Sequence, residues 1–176
     1  MRPRLSLKAR ALQLLAQREH SRAELRRKLL AHANERPAAG SGEPATPEDP
    51  PGGAPFGRRL PPTAEMQASV DALLDWLVTN QHLSESRFVE SRVRARSARH
   101  GNLRIRQELA QHGLELAPDE ERALKESEFD RARQVWARKF DAPAGDAAGR
   151  ARQARFLAGR GFSADVIHRL LRVSDD

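Results

Sequence analysis

The 176-residue sequence has no cysteine and no tyrosine, and aromatic residues make up only 5% of it. Without cysteine there can be no disulfide bond, no thiolate metal ligand and no cysteine nucleophile. No run of residues approaches the roughly 18 consecutive apolar residues of a membrane-spanning helix, and the first residues lack the apolar core of a secretory signal. These absences predict a cytoplasmic protein that does not associate with membranes.

Motifs that carry catalytic or metal chemistry are missing as well. No histidine stands in an H-E-x-x-H pattern or with a carboxylate at metal-ligand spacing, and no glycine-rich phosphate loop follows a strand. The histidines next to predicted helix ends are expected to be helix caps or exposed residues: His20, His82, His100 and His112. The sequence therefore predicts a protein that is not an enzyme and has no catalytic residue, metal site or cofactor.

What the chain has in excess is arginine. Lysine and arginine number 31 against 24 aspartate and glutamate, a net charge of +7, and residues 1–33 hold nine basic residues but only two acidic ones. Such an excess is typical of proteins that bind an acidic partner, with nucleic acid the usual one. The candidate partner-binding residues are Arg22, Arg26, Arg27, Lys28, Arg92, Arg96, Arg99, Arg104 and Arg106.

Three of these candidates, Arg92, Arg96 and Arg99, are spaced i, i+4 and i+7. This spacing places them on one helix face, where they are expected to touch phosphate or an acidic protein groove. For any single arginine, a solvated helix face is the alternative. Trp76 and Trp136 lie in apolar stretches and are expected in the core, so no aromatic stack for single-stranded bases is predicted.

Apolar residues recur with helical spacing along nearly the whole chain, and no segment alternates with the period of a strand. Ser21, Ser84 and Ser163 are expected to cap helices at their N-termini, and Gly113 and Gly161 to end helices. Residues 34–62 differ, because they hold 8 of the 11 prolines and 5 of the 11 glycines. We expect this segment to be a flexible insertion.

An internal repeat connects the predicted helices. The segments 21–33, 101–113 and 149–161 each begin with a small residue, have leucine eight residues later and end with alanine or glycine. The period is about 50 residues, which is typical of helical repeats. The sequence predicts an all-α, elongated and curved molecule of tandem three-helix repeats, formed by residues 1–33 with 63–80, 84–126 and 127–176.

Residues 74–114 closely resemble the RecX family of bacterial recombinase regulators. The resemblance rests on Trp76-Leu77, the Arg87-Phe88 step, an arginine-rich helix and Arg104-Ile105-x-x-Glu108-Leu109-x-x-x-Gly113. Ser21-x-x-Glu24-Leu25-x-x-Lys28-Leu29 is similar to the family's opening motif, and Leu157-x-x-Arg160-Gly161-Phe162 is similar to its closing motif. His82 stands where the family usually has an aromatic residue, and Ser84 or Glu85 stands where an aspartate is usual. The 34–62 insertion is not part of the common pattern.

The resemblance implies a non-enzymatic protein that binds the RecA recombinase filament on single-stranded DNA. It implies a negative effect on the recombinase, ATPase and coprotease activities, and hence a role in recombination, DNA repair and the SOS response. We expect a monomer that meets single-stranded DNA through the filament. The residues alone leave two alternatives open, an independent helical DNA-binding protein and a helical scaffold for another protein.

Overall fold

The computed structural model describes residues 5–34 and 62–172, and these residues form nine helices and no strand. The helices are α1 (Leu7–Gln17), α2 (Arg22–Ala33), α3 (Ala64–Thr79), α4 (Glu85–Ser97), α5 (Asn102–Ala110), α6 (Pro118–Glu126), α7 (Glu128–Ala137), α8 (Ala147–Gly159) and α9 (Ala164–Arg172). The predicted all-α class is confirmed. The predicted insertion lies outside the described residues apart from its two ends.

Helix ends follow the chemistry expected from the sequence. The side-chain oxygen of Ser21 accepts a hydrogen bond from the backbone N–H of Glu24 at 3.1 Å, and Ser84 caps α4 in the same way. Each cap satisfies one of the N–H groups that a helix leaves unpaired at its start. Gly113 and Gly161 follow α5 and α8 with φ of 71° and 82°, a conformation that favours glycine.

Each set of three consecutive helices has its own hydrophobic core. The core of α1–α3 contains Ala11, Leu14, Leu25, Leu29, Val70, Leu74, Leu77 and Leu83. The core of α4–α6 contains Phe88, Val89, Ile105, Leu109 and Leu124. The core of α7–α9 contains Ala132, Val135, Leu157, Phe162, Ile167 and Leu170.

The chain divides into two compact units, one up to Leu83 and one from Ser84 onward. The first unit contains α1–α3, and the second contains α4–α9 with two of the three cores. The exact repeat boundaries given above stay a prediction.

The middle helices of the three sets, α2, α5 and α8, use equivalent positions to enter their cores. The repeated leucines are all buried: Leu29, Leu109 and Leu157. The small residues that open the repeated segments are buried too: Ser21, Gly101 and Gly149. A small residue at this position lets the start of the middle helix lie close against neighbouring backbone or side chains.

Trp76 does not lie in the core, contrary to the prediction. The core-facing residues of α3 are Val70, Leu74 and Leu77, and Trp76 is rotated about 100° away from Leu77 because it precedes it by one residue. Its side chain is 37% exposed. Trp136, by contrast, packs against the core of α7–α9 as expected.

Candidate partner-binding surface

Two of the predicted binding arginines on α2 are held by carboxylates of α3. Arg26 makes a bidentate ion pair with Asp71, with N···O distances of 2.6 and 2.9 Å, and Arg22 lies 2.6 Å from Asp75. The hydrogen bond from Arg26 is the main reason that the pKa of Asp71 is lowered. Arg27 is exposed and has no ion pair among the described residues. The structure therefore neutralises much of the charge on α2 within the first unit.

Glu24 neutralises a further part of that charge from a position that is 6% exposed. Its carboxylate pairs with Arg18, with Lys28 at 3.3 Å and with the Nδ1 atom of His20 at 3.2 Å. Burial raises the pKa of Glu24, but the hydrogen bonds and charges of these three side chains outweigh burial and lower the pKa to about 2. Lys28, the last of the four predicted cations on α2, is thus part of an internal network.

His20 was expected to be a cap or an exposed residue, and that prediction is wrong. It is 1% exposed, directly before Ser21 at the start of α2. Burial is the largest cause of its lowered pKa, and the neighbouring charge of Glu24 partly opposes the effect. His20 is therefore a buried structural residue of the first unit.

Arg92 and Arg96 on α4 both contact Glu108 on α5. Arg96 donates two hydrogen bonds to the carboxylate, at 2.7 and 3.0 Å, and Arg92 donates one at 3.3 Å. Burial raises the pKa of Glu108, but the hydrogen bond from Arg96 and the two positive charges lower it overall. Two members of the predicted arginine face thus connect the helices of one repeat.

Arg99, Arg104 and Arg106, the remaining candidates, are exposed. Arg106 lies 3.4 Å from Glu121 at the surface, and because both side chains are about half exposed, this ion pair contributes little stability. Arg99 and Arg104 have no ion pair within the part of the chain that the structure describes. Of the nine predicted residues, Arg27, Arg99 and Arg104 are those with cationic groups most available to a partner.

The second and third repeats are joined through backbone. The N–H of Gly101 donates to the carbonyl of Arg160 at 3.0 Å, and the N–H of Leu103 donates to the carbonyl of Gly161 at 3.1 Å. Since Gly161 also lies against the backbone of Arg104, the start of α5 and the end of α8 are in direct contact. This contact brings residues from 100–104 next to residues 160–161.

Glu128, which was not among the residues predicted from the sequence, connects the same two repeats from a buried position. Its carboxylate is 3% exposed and accepts hydrogen bonds from the backbone N–H of Asn102 at 3.0 Å and of Ser163 at 3.2 Å. The hydroxyl of Ser163 donates to its second oxygen at 3.0 Å. One carboxylate thereby satisfies N–H groups at the starts of both α5 and α9.

Arg131 completes the junction one turn after Glu128. Its guanidinium donates to the carbonyls of His100 at 2.9 Å and of Leu124 at 2.8 Å, and to the side chain of Asn102. Burial lowers the pKa of Arg131, and the charge of Glu128 opposes that effect. Both residues lie on a helix whose sequence gave no sign of these roles, because most of their partners are 26 to 35 residues away.

Two cations at the junction are held by an aromatic ring. The Nζ atom of Lys139 and the Cζ atom of Arg160 each lie 4.4 Å from the ring centroid of Phe156. Phe140 packs edge-on against the same ring at 5.3 Å. Cation–π contacts of this kind orient a positive charge without neutralising it. The sequence showed the aromatic and basic residues but not that they meet.

In the described ranges, no group of three or more histidine, aspartate or glutamate residues is placed to hold a metal ion. Among these same residues, none of the helices has the length and apolar character of a membrane span.

Comparison with known proteins identifies the family. Models of the second and third three-helix domains of RecX match residues 84–115 and 126–171. A Regulatory protein RecX from Leptothrix cholodnii is 43% identical over 176 residues, which cover 99% of this chain and 92% of the relative. The chain belongs to the RecX family. The resemblance seen in the sequence motifs is confirmed.

Other RecX relatives match over nearly the same length. The protein from Ralstonia nicotianae is 41% identical over 173 residues, covering 97% of this chain and 89% of the relative. The protein from Neisseria meningitidis is 32% identical over 178 residues, covering 98% and 93%. Tandem three-helix domains and a regulatory role are thus properties of the family to which this chain belongs.

Proposed function

We propose that this RecX-family chain is a cytoplasmic, non-enzymatic monomer that binds the RecA recombinase filament on single-stranded DNA. Binding would lower the recombinase, ATPase and coprotease activities of the filament. The observation that carries the proposal is the match to regulatory RecX proteins over almost the entire chain.

The arrangement of charge supports binding to a mixed surface of protein and nucleic acid. Most of the basic residues on α2 are paired with carboxylates of the same unit, whereas Arg27, Arg99 and Arg104 remain exposed. A helical surface with scattered cations among ion pairs suits a partner that offers both acidic side chains and phosphates.

The test is a filament assay with purified components. RecA is assembled on single-stranded DNA, and ATP hydrolysis, strand exchange and coprotease activity are each measured with and without an equimolar amount of this protein. All three activities are expected to fall. Unchanged activities would contradict the proposal, and capture of a different protein in the absence of recombinase would favour the scaffold alternative.

Charge-reversal variants locate the contact. Arg27→Glu and Arg99→Glu change exposed residues that have no ion pair with any described residue, so they are expected to weaken filament inhibition while leaving the fold intact. Arg122→Glu is the matched control, because Arg122 is 70% exposed and already lies near Asp119. If the control loses as much inhibition as the two test variants, these arginines are not specific contacts.

A further inference from the structure

Positive charge is distributed differently in the structure and along the sequence. The first unit, residues 1–83, has 12 basic and nine acidic residues, and the second unit, residues 84–176, has 19 basic and 15 acidic residues. The first unit pairs Arg22, Arg26 and Lys28 with its own carboxylates. The net charge of the second unit, +4, is therefore at least as large as that of the first, +3, although residues 1–33 have the most basic sequence.

Comparing equivalent positions of the repeats shows where that charge is concentrated. Position 24 of the first repeat corresponds to position 104 of the second, since segments 21–33 and 101–113 align. In the first repeat, the Glu24 carboxylate forms ion pairs with Arg18 and Lys28 and lies beside His20. The second repeat has Arg104 there, so an internal acceptor of positive charge is replaced by another positive charge.

The histidines of the two repeats show the consequence. His20 lies beside Glu24, whereas the equivalent His100 lies among Arg96, Arg104 and Arg160. Burial is the main cause of the lowered pKa of His100, and the three arginine charges lower it further. The Nδ1 atoms of both histidines and the Nε atom of Arg160 are buried without a hydrogen-bond partner in the described structure, but only the Nδ1 atom of His20 has a carboxylate beside it, Glu24 at 3.2 Å. The protein thus leaves polar and positive groups of this junction uncompensated.

Two further contacts hold cations at the same place. Lys139 and Arg160 lie over the ring of Phe156, each 4.4 Å from its centroid, so their charged groups are within about 9 Å of one another. Lys139 and Arg104 are exposed, and none of the three cations has an ion pair among the described residues. We call His100, Arg104, Lys139, Phe156 and Arg160 the junction cluster.

We propose that the junction cluster binds the phosphodiester backbone of single-stranded nucleic acid, with Arg104, Lys139 and Arg160 as the phosphate contacts. Guanidinium groups match phosphate oxygens in a bidentate geometry. Basic side chains interleaved with aromatic rings are typical of surfaces that follow a single strand. The proposal goes beyond the proposed function, because it assigns a direct nucleic-acid contact that does not require recombinase.

The experiment measures binding of the full chain to a fluorescein-labelled 20-mer of deoxythymidine by fluorescence anisotropy at several salt concentrations. The test variant is Arg104→Gln with Lys139→Gln, which changes two exposed residues and preserves Arg160 over Phe156. Its affinity is expected to fall about tenfold. The slope of log affinity against log salt is expected to become shallower by about 1.4, since each phosphate contact on a single strand contributes about 0.7.

The matched control is Arg122→Gln with Arg133→Gln, which removes two exposed positive charges from the same unit. Its affinity and salt slope are expected to stay near those of the unmodified protein. Equal weakening of both double variants, or no weakening of the test variant, would overturn the proposal. So would equally efficient displacement of the strand by polyglutamate, which would assign the cluster to acidic proteins. Circular dichroism confirms that both variants are folded.

Failure of this experiment is distinguishable from failure of the proposed function. The anisotropy assay contains no recombinase, and the filament assay reads ATP hydrolysis. If the protein inhibits the filament but does not bind the free strand through the junction cluster, the proposed regulatory function stands and the inference about the junction cluster is wrong.

Discussion

Gly101 lies against the backbone of Gly161, with no room for a side chain between them. A Cβ on Gly101 would meet the carbonyl oxygen of Gly161 and the backbone of Phe162 well inside van der Waals distance. The hydrogen bond from Gly101 to Arg160 and the hydrogen bond from Leu103 to Gly161 depend on this close approach. The second and third repeats are therefore in direct main-chain contact, in addition to the side-chain contacts that Glu128 and Arg131 make.

Gly101→Ala is expected to destabilise the protein by about 3 kcal/mol, because the backbone at the junction must move to accept the methyl group. Gly159→Ala is the control, since a Cβ at Gly159 meets nothing within 4 Å. That change is expected to be neutral or stabilising by about 0.5 kcal/mol. Urea denaturation of both variants measures the difference, and similar midpoints would contradict the close approach.

Glu128→Gln is expected to lower the free energy of unfolding by about 2 kcal/mol. The buried carboxylate accepts three hydrogen bonds from Asn102 and Ser163, and the neutral amide of glutamine replaces these charge-assisted bonds by weaker ones and forces the Ser163 hydroxyl to accept instead of donate. Glu126→Gln, at an exposed position on α6, is expected to change stability by less than about 0.5 kcal/mol. Thermal denaturation followed by circular dichroism compares the two, and equal melting temperatures would refute the role of Glu128.

Arg96→Ala is expected to destabilise the protein by about 1 kcal/mol, whereas Arg99→Ala changes stability by less than about 0.5 kcal/mol. The two arginines belong to the same predicted face, but only Arg96 makes the bidentate pair with Glu108. A double-mutant cycle with Glu108→Gln isolates the coupling between the pair. A coupling energy near zero would show that the pair does not stabilise the α4–α5 contact.

The protein is expected to become less stable as the pH falls, because of the lowered pKa values of His20 and Glu24. The pKa of Glu24 is lowered to about 2 and that of His20 also lies below its ordinary value, so the unfolded chain binds more protons and stability rises with pH. The contribution of His20 is lost as the pH falls below 6.5, and that of Glu24 between about pH 5 and 2.

Glu24→Gln tests this dependence. The unmodified protein is expected to exceed the variant in stability by about 2 kcal/mol at pH 7, with the difference shrinking toward pH 2 as Glu24 becomes protonated. Chemical denaturation at a series of pH values measures the difference. Gln17→Ala, at an exposed position at the end of α1, is the control, and because it changes no titratable group, its difference from the unmodified protein should not vary with pH. A constant difference for Glu24→Gln would contradict the prediction.

The helices could be predicted because their signals are local. Ser21 and Ser84 cap helices by accepting a hydrogen bond from the backbone N–H group three residues later. Gly113 and Gly161 adopt the positive φ that ends a helix. The internal repeat aligns Leu109 with Leu29 and Leu157, and all three leucines are buried. All these signals depend on spacing within a single helix or between copies of one unit.

The candidate site could be predicted only in part, because availability of a charge depends on distant residues. Arg26 and Asp71 are 45 residues apart, and nothing local identifies them as partners. Glu128 reaches Ser163 over 35 residues. Periodicity gives the face of a helix on which a cation lies, but it does not show which carboxylate or ring the fold places opposite.

The exposed position of Trp76 gives this protein an intrinsic optical reporter. Lys8 lies 3.7 Å from the Trp76 ring, and Trp136 packs beside the core of the third repeat. Because the chain has no tyrosine and two tryptophans, nearly all of its emission comes from one fluorophore in each compact unit. Trp76→Phe and Trp136→Phe would therefore separate the two signals, so that a titration with a partner records, without a label, which unit it touches.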